Sequence, residues 1–270
     1  MRESKALWYG KLIAAIVIGF CILFPIYLLI VSSFKPLEHI FDMRLIPREV
    51  SFEGYRLAAN QNFGRYFYNS FVVSATVTVV ALIFHAMAGY SLARLKFAGK
   101  KVVFALILST MMVPFSVLMI PLFILVKELG WLNTYAGIII PAIPHAYGIF
   151  LFRQFFLTMP NDLQEAASID GCSKFGIFVR IFMPLSKSIT ITLAVAFFIA
   201  NWNNYLWPLL IAQRQDMWVL QVAIANFIGR TDTPWNAVMA AGVITILPTM
   251  IMFFVLQKYL VEGIKMSGIK

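Results

Sequence analysis

The sequence predicts an all-α, polytopic membrane protein with six transmembrane helices and cytoplasmic N- and C-termini. Three observations carry that reading. First, 61% of the 270 residues are hydrophobic and only 13% are charged, whereas soluble domains run about 45–50% apolar and about 25% charged. A water-soluble core of this size has no room for so much apolar surface. Second, the charges cluster and leave six charge-free runs, 12–34, 66–93, 102–126, 129–152, 188–213 and 233–257, each at least 23 residues long. A helix needs about 20 residues to cross roughly 30 Å of hydrocarbon. Backbone groups in lipid must bond internally, and closed barrels lack long unbroken apolar runs, so the runs are helices. Third, if the chain crosses six times, 14 Lys and Arg fall on one side and 8 on the other. The positive-inside rule puts the richer side, with both termini, in the cytoplasm.

The elements follow in order. The first basic residues lead into the run 12–34, too long for a secretory leader's apolar core, so it is an uncleaved first helix. The remaining spans are placed close to 67–93, 102–126, 131–152, 188–213 and 235–257, with the whole of 1–270 as a single transmembrane domain. Span two ends in Ala86-Met87-Ala88-Gly89-Tyr90, where small residues let another helix approach closely. His85 lies in the same span. It is either a functional group or a neutral ring bonded to a neighbour. Prolines 25, 114, 121, 141, 144, 208 and 248 lie in or beside spans, where they kink or interrupt a helix, as in the broken pathway helices of transporters, or are simply tolerated in lipid, the preferred reading for each taken alone.

Span five carries the densest polarity, Asn201-Trp202-Asn203-Asn204-Tyr205-Leu206-Trp207-Pro208. On a continuous helix Asn201, Asn204, Tyr205 and Pro208 share one arc, with Asn203 nearly opposite. Amides and a phenol are costly against lipid, so that arc faces protein or a wet cavity. A solute path through Asn201, Asn204 and Tyr205 fits, and so does an interhelical hydrogen-bond seam. The segment 216–229 is too short to span and reads as a short helix on or re-entering the outer face.

The longest segment on the basic side, 153–187, holds the main polar interruption, 160–171, with three of the twelve acids. Pro160, Asn161 and Asp162 open a helix. Gly171 supplies a left-handed turn that ends it. Ser173 caps a second amphipathic helix through Phe175, Ile177, Phe178, Ile181 and Phe182, which Pro184 breaks. Ala166 and Ala167 form an exposed small-residue ridge suited to a partner's groove, with Glu165 to fix its register.

This loop resembles the EAA loop of binding-protein-dependent ABC importer permeases. Glu165-Ala166-Ala167, Gly171 and Ile181-x-Met183-Pro184 keep the family spacing, with Met183 where the family has Leu. Motifs along nearly the whole chain are similar to the carbohydrate-importing branch. They are Ser33-Phe34-Lys35-Pro36, Tyr90-Ser91-Leu92-Ala93-Arg94, Asn133-Thr134-Tyr135-Ala136-Gly137, Trp202-Asn203, Trp207-Pro208 and the ending 261–270. That ending looks like the maltose-type second permease subunit. The resemblance implies the type I ABC importer permease fold in a bacterial or archaeal cytoplasmic (inner) membrane. It implies a second, non-identical permease subunit, two ATPase subunits and an extracytoplasmic sugar-binding protein. Glu165, Ala166, Ala167, Asp170 and Gly171 would couple to the ATPases. ATP and Mg²⁺ would sit on those partners and no cofactor on this chain. It also implies contact of 217–229 with the binding protein and of the basic tail from Lys258 with the ATPases.

Other classes fit less well. No Asp, Glu, Lys or Arg lies in the six runs, against an ion-coupled carrier or channel. A permease for a non-sugar solute shares the loop but not the flanking motifs. The chain has no phosphate-binding loop and no His-Glu-x-x-His pair, so it is not an ATPase or zinc hydrolase by itself. The net charge of +10 reflects membrane topology and not nucleic-acid binding. Cys21 and Cys172 make no disulfide or metal framework.

Overall fold

Helix follows charge-free sequence along the chain, but not always as one rod. The computed structural model describes residues 5–229 and 232–267, with side-chain environments for 7–229 and 232–257. Residues 268–270 of the family-like ending, and the side chains of the basic tail from Lys258, lie outside what it describes. Every regular element among the described residues is helical. The contacts divide the chain into two compact units, 1–65 with 223–248, and 66–222 with 249–270.

In the first unit, α1 (Lys5–Ser33) runs straight through Pro25. It starts seven residues before the charge-free run, because Lys5 and Lys11 do not interrupt a helix. The polar stretch after α1 is pinned by side chains. Lys35 is buried and donates to Asp42 O at 2.6 Å, and Ser33 Oγ lies 2.8 Å from Tyr55 Oη. Helix α2 (Glu53–Asn60) packs on residues 236–237, where a Cβ on Gly54 would stand 2.4 Å from Asn236 O. Asn236 Nδ2 donates to Glu53 Oε2 at 3.1 Å.

Helix α3 (Phe63–Arg94) lies in the second unit from Tyr66 onward. One face carries Ser70, Ser74, Thr78 and His85, spaced four, four and seven residues apart and all buried, and Asn69 is buried on another face. Asn69 bonds three ways. It donates to Asp216 O (2.9 Å) and Trp218 O (2.8 Å) and accepts from Tyr135 Oη (2.6 Å).

Spans three to five are broken, the first two of them beside Pro114 and Pro144. In span three α4 (Lys100–Thr110) and α5 (Phe115–Glu128) meet at 98°. Pro114 sits extended (ψ 138°) at the break as the residue before α5; its ring disfavours the α conformation at Val113 and it has no N–H to give the ladder. Pro121, inside α5, leaves its helix whole. In span four α6 (Tyr135–Ile139), continued by a 3₁₀ turn to Ala142, meets α7 (Ala146–Thr158) at 43°. Helix α7 continues five residues past Arg153, whose guanidinium stacks 3.9 Å over Phe104, and ends only where Met159 turns extended before Pro160.

Span five is α11 (Lys187–Trp202), a break at 203–205, then α12 (Leu206–Ile211). After it, 216–229 does not begin its helix at Asp216. Asp216 lies in a 3₁₀ turn, and α13 (Leu220–Ile228) starts where Ser70 Oγ accepts from Leu220 N at 2.8 Å. Leu220, Val222, Ala223 and Phe227 are buried while Asn226 and Ile228 are exposed, so α13 packs by one face and presents the other. The last helix, α14 (Trp235–Ser267), passes through Pro248 unbroken.

Candidate functional site

The 160–171 interruption folds as helix, glycine turn, helix. Helix α8 (Asp162–Ile169) starts at Asn161, whose carbonyl accepts from Gln164 N (2.9 Å) and Glu165 N (3.1 Å). Asp162 and Glu165 fall in its first turn, where negative charge is favourable. Its end is a Schellman motif. Cys172 N donates to Ala167 O at 2.9 Å and Gly171 N to Ser168 O at 3.2 Å, with Gly171 at φ 79°. Ser173 Oγ then accepts from Gly176 N at 3.1 Å and starts α9 (Lys174–Ile177). The helix passes through a π turn at 178–182 and α10 (Met183–Leu185), and bends by 78° into α11 at Ser186. Pro184 sits at the start of α10, and the helical run breaks two residues later, at the bend before α11. The wider π turn just before Pro184 relieves the clash a proline ring makes with an α ladder.

One part of the ridge reading is corrected. Ala167 is buried (6% exposed) among Tyr90, Phe156, Ile177 and Phe178, because its small side chain lets α8 lie close on them. The exposed face is instead Asp162, Glu165, Ala166 and Ile169, at the i, i+3, i+4, i+7 spacing of one helix face. Asp170 and Gly171 are exposed beyond it. Ile169 is 86% exposed, a β-branched apolar side chain where solvent alone offers nothing to pack on. Two carboxylates flanking an apolar knob suit a groove with an apolar floor and a basic rim.

Two residues beneath the loop were read in the sequence only as a motif and a charge. Arg94, at the end of α3, donates from Nη1 to Asn161 Oδ1 and from Nη2 to the carbonyls of Phe156 and Met159. Its guanidinium lies 5.1 Å from the centroid of Phe182. Tyr90, one turn earlier, donates from Oη to Lys174 O at 3.2 Å, and its ring meets Phe156, Phe178 and Phe182 at 5.1–6.0 Å. Next to it, a Cβ on Gly89 would stand 2.6 Å from Phe152 Cβ, so the small residues there do mark a close helix crossing. The available sequence signal was an arginine one turn after a tyrosine at the end of an apolar run.

His85 is bonded to a neighbour. Its Nε2 lies 3.0 Å from Ile143 O and 3.1 Å from His145 N, so either tautomer satisfies one backbone group of the span-four break. Span five is not arranged as a continuous helix would place it. Asn201 is in the last turn of α11 and donates to Phe197 O at 2.8 Å. Asn204 and Tyr205 lie in the break, where the 100° arc no longer relates them to Asn201. Asn201 and Asn204 are half-buried and Tyr205 is exposed. Asn203 donates to Ile199 O at 3.0 Å and accepts from Gln221 Nε2 at 3.3 Å, a link to α13. Trp207 Nε1 anchors α12 to Gly137 O at 3.1 Å.

Comparison with known proteins accounts for this architecture. The family model for the binding-protein-dependent transport system inner membrane component matches residues 85–266. The arabinooligosaccharides transport system permease protein AraQ of Bacillus subtilis is 35% identical, over 92% of this chain and 90% of that protein. The sn-glycerol-3-phosphate transport system permease protein UgpE of Brucella abortus is 33% identical, over 89% and 90%. A chain in the crystal structure of a bacterial ABC transporter involved in the import of the acidic polysaccharide alginate superposes with a TM-score of 0.86. It is 25% identical and covers 96% of this chain and 99% of that one. Three long apolar helices and three bent helix pairs, up to six spans among the described residues, with a helix–glycine–helix loop after α7, match the fold of a type I ABC importer permease. The chain belongs to the family of binding-protein-dependent transport system inner membrane components.

Proposed function

We propose that the chain is one of two non-identical permease subunits of an ATP-driven importer. It carries a sugar or oligosaccharide across the cytoplasmic membrane of a bacterium or archaeon. The observation that supports this most is α8, anchored on one side to the end of α3 and bare on the other, where Glu165, Ala166 and Ile169 stand free. That is the form of a handle. Two ATPase subunits, one under each permease, would grip such handles in grooves on the cytoplasmic side. ATP and Mg²⁺ belong to those ATPases, since this chain carries no phosphate-binding loop. Closure of the ATPases moves both handles, and the spans rock between inward- and outward-open states. A binding protein outside the membrane delivers the cargo.

The sugar assignment rests on relatives such as AraQ and the lactose transport system permease protein LacG of Rhizobium radiobacter, the latter 36% identical over 73% of this chain. The amides of Asn201 and Asn204 and the phenol of Tyr205 suit hydroxyl groups. Relatives named for sn-glycerol-3-phosphate favour a second reading, a phosphorylated polyol. Against it, no Lys or Arg lies between residues 188 and 213 to meet a phosphate. The test is to purify the complex from native membranes and screen the co-purifying binding protein against neutral sugars and phosphorylated polyols. Recovery of a second permease, an ATPase and sugar binding is expected. Recovery without any ATPase would overturn the proposal, and binding of phosphorylated polyols alone would favour the second reading.

A further inference from the structure

We propose that Arg94, assisted by Tyr90, is the positioning residue that makes α3 follow the handle. This rests on the reading of α8 as the ATPase-gripped element. A handle transmits motion only if its far side is fixed to a span, and α8 is a short helix with a glycine at one end and a proline at the other. Backbone continuity joins it to α7 and α9, not to α3. Arg94 makes that connection. One guanidinium reaches Asn161, the residue that opens α8, and two carbonyls at the end of α7, Phe156 O and Met159 O. Its plane rests over Phe182 on the following helical run. Three consecutive segments of the loop therefore converge on one side chain of α3.

The chemistry suits transmission. A guanidinium presents several donors in a fixed fork, so its bonds resist rotation as well as separation. Each acceptor is a carbonyl or amide oxygen, not a carboxylate, so the seat lacks an ion-pair partner for salt to screen. The α7 carbonyls lie at a helix C-terminus, where a cation is favourable. Tyr90 supplies the second point one turn up the same helix, through Lys174 O of α9. At Gly89, α3 and α7 touch. Two bonded points one turn apart and one backbone contact fix an orientation, which a single hinge would not.

Without the seat, α8 turns with the ATPase while α3 lags, so ATP is hydrolysed without passage of solute. The assembled complex in proteoliposomes reports this as sugar transported per ATP hydrolysed. Arg94→Lys keeps the charge but loses the fork. It is expected to retain ATPase association and to lower the ratio by roughly tenfold, the scale of one lost charge-assisted hydrogen bond. Tyr90→Phe is expected to lower it about two- to fivefold, the scale of one neutral bond. Lys96→Gln, an exposed cation two residues further on and outside the seat, is expected to leave it unchanged. A wild-type ratio in Arg94→Lys overturns the inference, as does an equal fall in Lys96→Gln, which would mean that charge alone matters. If Arg94→Lys fails to assemble, Asn161→Ala, an exposed position, decides: an unchanged ratio rejects the seat. Glu165→Ala tests the handle separately. Full ATPase association and uptake in that variant would reject the handle itself, whatever the Arg94 variants do.

Discussion

Gly171 isolates a backbone effect from packing. Its φ of 79° lies in the left-handed region, and a Cβ there would meet no atom within 4 Å. Substitution therefore costs conformational energy and nothing else. An L-residue forced into that region loses about 1–2 kcal/mol, asparagine less because it tolerates the conformation, and a β-branched residue more. What is at stake are two bonds, Cys172 N to Ala167 O and Gly171 N to Ser168 O, that stop α8 and aim the chain into α9. A loss of 1–2 kcal/mol shifts the ratio of formed to unformed turn by roughly 5- to 30-fold. Because the turn is exposed, the loss is local, so membrane insertion and bulk thermal unfolding of the spans should barely change. Co-purification of ATPase subunits with Gly171→Asn, Gly171→Ala and Gly171→Val should fall in that order. Wild-type association in Gly171→Val would refute the turn assignment. Equal damage from Asn and Val would show that the position is sensitive to bulk and not to φ.

The other predictions concern packing and charge around the same unit. Ala167→Leu should destabilise the loop by about 1–3 kcal/mol through overpacking, seen as earlier proteolysis of 153–187, whereas Ala166→Leu should fold normally and lose ATPase association; the reverse pattern would invert the two faces. Gly148→Ala places a methyl 2.3 Å from His85 Nδ1 and 2.8 Å from Phe197 Cζ, so its thermal midpoint should drop by the equivalent of about 1–3 kcal/mol. Glu165→Ala removes an exposed first-turn charge worth about 0.3–1 kcal/mol to the helix. Its stability should be nearly unchanged while uptake is lost, and unimpaired uptake would dismiss Glu165 as a contact.

The spans were legible because charge in lipid is so costly that its absence over more than twenty residues has one explanation. Their bends were not. An all-apolar run has no amphipathic face to change phase at a break, and proline marks only where a helix is able to break. Pro25, Pro121 and Pro248 lie inside whole helices, while Pro114 and Pro144 sit at interruptions. At the span-four break the freed groups of Ile143 and His145 meet His85, some sixty residues away. At the start of that span, Asn133 Oδ1 accepts from Arg214 N, 81 residues away. Such partners are long-range and leave no local trace. The arc drawn through Asn201, Asn204 and Tyr205 failed for the same reason. It assumed a helix where Trp207, held by Gly137 O, and Trp202, buried against Phe67, fix two shorter pieces.

The loop reads better than the spans because its signals act over three to five residues. Gly171, Ser173 and Asp162 each do locally what their chemistry permits anywhere, whereas the Asn161 side chain is taken by Arg94 and caps nothing locally. Which of two adjacent alanines faces the partner, however, is set by Tyr90, Phe156 and Phe178 on three other segments. Small size alone cannot separate a residue that admits a partner's groove from one that admits the protein's own core. Here α8 uses both, Ala167 to lie close on its seat and Ala166 to leave room above it. A handle needs a tight inner contact and an open outer one, and a larger side chain at either position would remove one of the two. The paired alanines meet both demands on adjoining faces of a two-turn helix.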